Sequence, residues 1–412
     1  MKIFIRLFFM IICIIPIMNP LYAQWTQIPY FNKYNSIVGF ASKDTNLFAA
    51  DYSGVYLSTD NGNTWNKTGL TNSEITSLAI SGSDLYVGTE SGVLLSTNQG
   101  TDWQSITNSL PNLNVTYLAI KGSYIFAGTQ GSGMLLSTDG GAHWDSVNTG
   151  FSSSYKYGWI SDIIFNNSSI FVSIYSYGVY YSTNNGTNWI AINTGLTHSS
   201  VSSIAISDTN IIAGVYWNDG AYISSIKDNN WFPITDFKNR TVKCFKVSPN
   251  NPNCVFAGTD SGFVFLSINS GKNWSLVNSG LTTTEQINTL IIKDNILFAG
   301  TSGGMWQRPL SEMITSVENT LNEIPQCLYL SQNYPNPFNP STTISFYLPS
   351  RSFVSLKIFD LIGREVVTLV SEEMSAGNYI KQWNANNLAG GIYFYRLQAG
   401  SFIISKKLVF LK

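Results

Sequence analysis

The chain has 412 residues, a length that admits two or three domains. Only 11% of them are charged, 14% are aromatic and 33 are glycine, a mix that favours strands and tight turns over long amphipathic helices. The net charge of −1 gives no reason to expect nucleic acid or an anionic membrane as a partner.

Residues 1–23 read as a secretory signal peptide. Lys2 and Arg6 form its charged start, and Leu7 to Met18 is an apolar run too short to span a bilayer comfortably. Leu21-Tyr22-Ala23 offers a cleavage site before Gln24. No later stretch is long enough to cross a membrane as a helix, so no transmembrane segment is expected after cleavage.

From residue 24 to 310 the sequence repeats. The frame S-x-D/N-x-G-x-x-W occurs as Ser58, Asp60, Gly62, Trp65; Ser96, Asn98, Gly100, Trp103; Ser137, Asp139, Gly141, Trp144; Ser182, Asn184, Gly186, Trp189; and Ser267, Asn269, Gly271, Trp274. A worn copy runs from Ser224 to Trp231. The copies start 38 to 45 residues apart, and a fixed period of this size marks a repeat architecture. A short carboxylate or amide can accept backbone N–H bonds from its own turn, and glycine supplies a positive φ. Tryptophan begins the outgoing strand and buries a large ring. Asparagine replaces aspartate in three copies, which suits a structural role and not acid–base or metal chemistry.

A second motif, apolar strand then small residues, recurs seven times, as in Phe126-Ala127-Gly128-Thr129 and Phe298-Ala299-Gly300-Thr301. Seven units of four short strands predict a seven-bladed β-propeller. The second unit is expected to comprise Ile75 to Ile80, Leu85 to Thr89, Gly92 to Thr97 and Trp103 to Thr107. The seventh unit has three strands only, and Trp25-Thr26-Gln27-Ile28 is the candidate for its fourth. Residues 311–327 read as a linker. Residues 328–412 hold six further strand-like runs separated by turn signals, predicting a small Ig-like antiparallel β-sandwich.

The repeat turn resembles the Asp-box, or BNR, repeat of sialidases, sortilin-type receptors, some xyloglucan-cleaving enzymes and a photosystem assembly factor family. The last 80 or so residues resemble the type A C-terminal sorting domain of the type IX secretion system. They carry Tyr334-Pro335-Asn336-Pro337-Phe338-Asn339-Pro340, the stretch Lys357 to Arg364, Leu388 to Tyr393 and the closing Lys406 to Lys412. The second resemblance implies recognition by the type IX machinery, passage through the periplasm, and release or attachment at the cell surface.

Sialidase chemistry needs three arginines around a carboxylate, and the propeller region holds only Arg240 and Arg308. Four carboxylates, Asp51, Glu90, Asp219 and Asp260, fall in loops between second and third strands, opposite the Asp-box turns. Two of them acting as a glycosidase pair is the competing reading. His143 and His198 have no partners at zinc-site spacing, so neither metal nor cofactor is expected. Cys244 and Cys254 are read as buried apolar residues, with a disulfide left open. Aromatic residues on the face with the loop carboxylates, namely Tyr155, Tyr157, Trp159, Tyr175, Tyr177, Tyr216 and Trp217 beside Asp219, form the candidate ligand surface. The expectation is a monomeric, exported, non-catalytic binding module for a glycan or protein ligand.

Overall fold

The computed structural model describes residues 24–31, 34–71, 73–108, 114–152, 158–282, 284–313, 329–330, 332–348, 351–386, 388–400 and 402–411. Among the described residues, seven four-stranded antiparallel sheets follow one another between Thr26 and Pro309. They are the blades of a propeller, each running from an inner first strand to an outer fourth. The second blade is Ile75–Ser81, Asp84–Thr89, Gly92–Ser96 and Gln104–Ser105. Its outer strand is shorter than the sequence suggests. Trp103 turns inward, its ring N–H bonding Gly100 O at 2.9 Å, so only two residues remain in register with the third strand.

The core lies between blades, not within them. One cluster joins Tyr86 and Val93 of the second blade to Leu118, Ile125, Leu135 and Trp144 of the third. The seven-residue first strands crowd toward the axis, and small residues allow it. A Cβ built on Gly128 would stand 2.3 Å from Ile160 Cβ of the next blade. Gly128→Ala is therefore expected to cost about 1–3 kcal/mol through overpacking. Chemical denaturation would check it, and a change below ~0.5 kcal/mol would contradict the close approach.

The Asp-box turns share one hydrogen-bond pattern. The Ser137 hydroxyl donates to Asp139 Oδ1 at 2.9 Å and accepts the Gly141 N–H at 2.8 Å, while Asp139 Oδ1 also accepts the His143 N–H. Ser182 with Asn184 makes the same bonds to Gly186 and Asn188. Asparagine serves because the acceptor is one Oδ1 atom, not a charge. In the worn copy, Ser224 instead bonds Ser225 O, yet Trp231 is still buried.

The ring closes through its first strand. Thr26–Gln27 pairs antiparallel with Gly304–Pro309, placing Thr26 opposite Gln307 and Gln27 opposite Trp306. Trp25 bonds Val277 O through its ring N–H at 2.7 Å. Trp144 and Trp189 likewise reach back one blade, to Ile106 O and Val147 O. Trp25 thus occupies a box tryptophan's place without a box.

The C-terminal part is a sandwich of two sheets. One contains Tyr329–Leu330, Ser341–Leu348 and Gly377–Asn384; the other orders Glu365–Met374, Ser352–Phe359, Gly391–Ala399 and Phe402–Phe410. Alternation puts Val354, Leu356 and Ile358 inside with Tyr395, Leu397 and Leu408. The proline-rich opening lies along the last strand: Phe338 N–H bonds Val409 O, Leu411 N–H bonds Phe338 O, and Asn336 Oδ1 accepts the Val409 N–H.

Candidate functional site

The first strands enclose a central channel of about 800 Å³, lined by residues of all seven blades. Each first strand carries a bulge at the same place, after its first residue. The extra residue is Val38, Thr76, Thr116, Ser161, Ser202, Lys243 or Asn288 in turn. Its side chain usually ties one blade to the next. Thr76 donates to Val115 O, Thr116 to Ile160 O and Ser161 to Val201 O, each at 2.7 Å. Ser202 donates to Val242 O, and Asn288 to Ile37 O at 3.1 Å. Val38 has no polar atom to offer, and Lys243 makes no such bond among the described residues.

The candidate aromatic residues divide. Tyr155 and Tyr157 lie outside the described residues. Trp159, Tyr175 and Tyr216 converge at the channel mouth. Trp159 and Tyr175 stack at 3.8 Å with planes 9° apart, and Tyr175 meets Tyr216 edge-on at 5.4 Å. Lys243 Nζ lies 4.8 Å from the Tyr216 ring centre, a cation–π distance. The arc spans blades four to six. Tyr177 is half-buried against the cluster that contains Phe151 and Trp189. Trp217 stands apart at 74% exposed.

The loop carboxylates do not share one setting. Asp51 is buried and accepts bonds from Asn35, the Ser53 backbone and hydroxyl, and the Tyr56 hydroxyl. That makes it a turn anchor. Asp219 Oδ2 holds His198 Nδ1 at 2.8 Å and accepts the Tyr222 hydroxyl at 2.9 Å. Asp260 accepts the Ser261 hydroxyl. Glu90 is exposed at the channel rim. Both propeller arginines are occupied: Arg240 lies over Phe263 at 4.6 Å, and buried Arg308 bonds Val277 O and faces Glu312.

Sequence reading missed the channel wall. Asp162 follows the bulge in the fourth blade. Its Oδ2 accepts the Ser203 hydroxyl at 2.8 Å and the Ile204 N–H at 3.0 Å, and its Oδ1 accepts the Ile163 N–H. Burial raises its pKa against the lowering effect of these donors and of the Tyr117 hydroxyl. Burial likewise pushes Tyr117 far up, with the nearby Asp162 charge adding to it. Lys243 and Lys246 are lowered by burial inside the channel. The Cys244 thiol is pushed up to about 12 by burial, so it is inert. Cys244 and Cys254 are both buried and no disulfide joins them. The available signal was positional: an acid where the neighbouring first strands place Tyr117 and Ser203. It is visible only after the seven strands are aligned.

Comparison with known proteins gives two family matches. Residues 19–305 match the family described as photosynthesis system II assembly factor YCF48. Residues 332–411 match the secretion system C-terminal sorting domain. Among curated proteins no significant sequence match was found. Among solved structures, the chain is similar to a YCF48 bound to D1 peptide, at 13% identity and TM-score 0.57, over 71% of this chain and 96% of that one. It is similar to YCF48 from Cyanidioschyzon merolae at 14% identity and TM-score 0.58, over 70% and 99%. It is also similar to the GH74 xyloglucanase from Xanthomonas campestris at 16% identity and TM-score 0.58, over 79% of this chain and 59% of that enzyme. At these identities the likeness carries the fold alone. The sorting domain marks the protein for recognition by type IX secretion and export to the cell surface or beyond. No helix among the described residues is long and apolar enough to cross a membrane.

Proposed function

The chain belongs to the photosynthesis system II assembly factor YCF48 family, and from that premise we propose that its propeller is a non-catalytic module binding a polypeptide segment at the channel mouth, outside the cell. The observation that carries this reading is the arc Trp159–Tyr175–Tyr216–Lys243. Trp159 and Tyr175 each have one face covered by the other, which leaves less open ring surface for stacking on a sugar. Amide side chains of Asn114, Gln130 and Gln286 line the same channel and can pair with peptide groups. One relative of the same fold is a peptide complex. The competing glycosidase reading loses Asp51, which is buried, and Asp219, whose outer oxygen is taken by His198 and Tyr222.

Selection of peptides from a random displayed library against the full chain tests the proposal. Trp159→Ala and Tyr216→Ala are each expected to weaken the selected peptide about tenfold or more, as central aromatic anchors do. Polysaccharide hydrolysis that disappears in Asp219→Asn or Asp260→Asn would replace binding with catalysis. Unchanged peptide affinity in both aromatic variants would remove the mouth as the site.

A further inference from the structure

Blade six departs from its neighbours twice on one strand. Lys243 sits at the bulge, where five other blades use a hydroxyl or amide to tie themselves to the next blade. Beside the bulge, blade six has a long Cys244 Sγ contact to Ile287 O, at 3.6 Å. Lys246 stands three residues deeper, ~10 Å along the strand. The same register in the other first strands holds Ala41, Ala79, Ala119, Ile164, Ala205 or Ile291. Packing alone favours threonine at the first place and alanine at the second. Two lysines in place of these forfeit an interblade bond and bring two charges into an enclosed space, which costs free energy unless an opposite charge arrives.

The protein supplies little of that opposite charge. The ion pairs found among the described residues include neither ammonium group. Asp162 acts on Lys246, and Asp260 acts weakly on Lys243. Asp162, however, already accepts from Ser203, Ile204, Ile163 and Tyr117.

We propose that Lys243 and Lys246 form an anion subsite inside the channel, which takes a carboxylate group. A singly charged carboxylate fits better than a doubly charged phosphate, because Asp162 and Glu90 line the same channel and repel the second charge. The cation–π contact with Tyr216 holds Lys243 near the rim, and Lys246 receives the anion below it. Lys243 is shared with the mouth arc and to that extent rests on the peptide reading, whereas Lys246 belongs to the channel wall alone.

The test is titration of the full secreted chain with sodium butyrate at constant ionic strength, read by the NMR shifts of the lysine ε-carbons. Saturable shifts of Lys243 and Lys246 are expected. Lys246→Gln and Lys243→Gln should each weaken binding fivefold or more, while Lys272→Gln, on an exposed Asp-box turn, should leave it unchanged. Thermal melts of the variants show that they are folded, and Lys246→Met replaces Lys246→Gln if that variant does not fold. A chain that shows no saturable shift, or a Lys243→Gln/Lys246→Gln double variant that binds as the wild type does, overturns the subsite. Tighter binding of inorganic phosphate than of butyrate overturns its assignment to carboxylates. Neither outcome touches the peptide reading, which is read on the aromatic variants.

Discussion

Trp25→Ala is expected to destabilise the propeller by about 3–5 kcal/mol, the cost of removing a large aromatic side chain from a tight core. The ring is 3% exposed and packs with Val277, Leu281 and Trp306. Its N–H bonds Val277 O and its backbone N–H bonds Ser279 O. Losing it also loosens Thr26–Gln27, which pairs with blade seven over two residues only. The edge of Gly304–Pro309 should then open to water and to proteases. Urea unfolding and limited proteolysis check this together. Trp231→Ala is the comparison, because its blade is continuous in sequence and cannot lose a strand. Equal protease resistance at blade seven in the two variants would argue against closure by the N-terminal strand.

Asp162→Ala is expected to cost about 3–5 kcal/mol, since each buried donor left without an acceptor costs roughly 1–3 kcal/mol and the losses are not additive. The Ser203 hydroxyl, the Ile204 and Ile163 N–H groups and the Tyr117 hydroxyl would all lose their acceptor. Asp162→Asn keeps one oxygen and gives a pH signature as well. Burial holds the folded pKa of Asp162 above its ordinary 3.8, so the folded state binds the proton more tightly than the unfolded chain. The stability that follows is fully present below pH ~3.8 and is lost as pH rises through the folded pKa. The wild type should therefore exceed Asp162→Asn by its widest margin in acid, and the margin should narrow toward neutrality. Unfolding free energies of both forms between pH 3 and pH 7 would show it. A margin that widens with pH would mean that the carboxylate is stabilised as an anion.

Blade number and ring closure were legible because they depend on residues with strong local demands. A box tryptophan, a turn glycine and a period near 40 residues point to the same unit, and Trp25 stands out as a tryptophan without a turn before it. The outer strands were less legible: Trp103 through Thr107 has strand character, but the inward turn of the ring leaves only Gln104 and Ser105 paired. The channel was hidden. Thr76, Thr116, Ser161 and Ser202 are ordinary polar residues in sequence, and their common role exists only once seven bulges face one axis. Asp162, next to Ser161, carries no local sign of its burial. Of the aromatic group, Tyr175 and Tyr216 touch across two blades, a contact that no local pattern encodes. Trp217, adjacent to Tyr216, turns out to solvent on a left-handed backbone with φ of 67°.

The pairing of Thr26 with Gln307 also sets an order of events. Within the propeller, the strand that completes the ring leaves the ribosome first, and its partner leaves after the other six blades. Long-range pairings of this kind form slowly, so the last barrier in folding should be the meeting of the two ends. Until then blade seven presents a bare edge, the kind of surface that drives aggregation of incomplete chains. A product truncated before residue 304 has nothing for Thr26 to join. Ring closure thus requires a propeller complete through Gly304–Pro309.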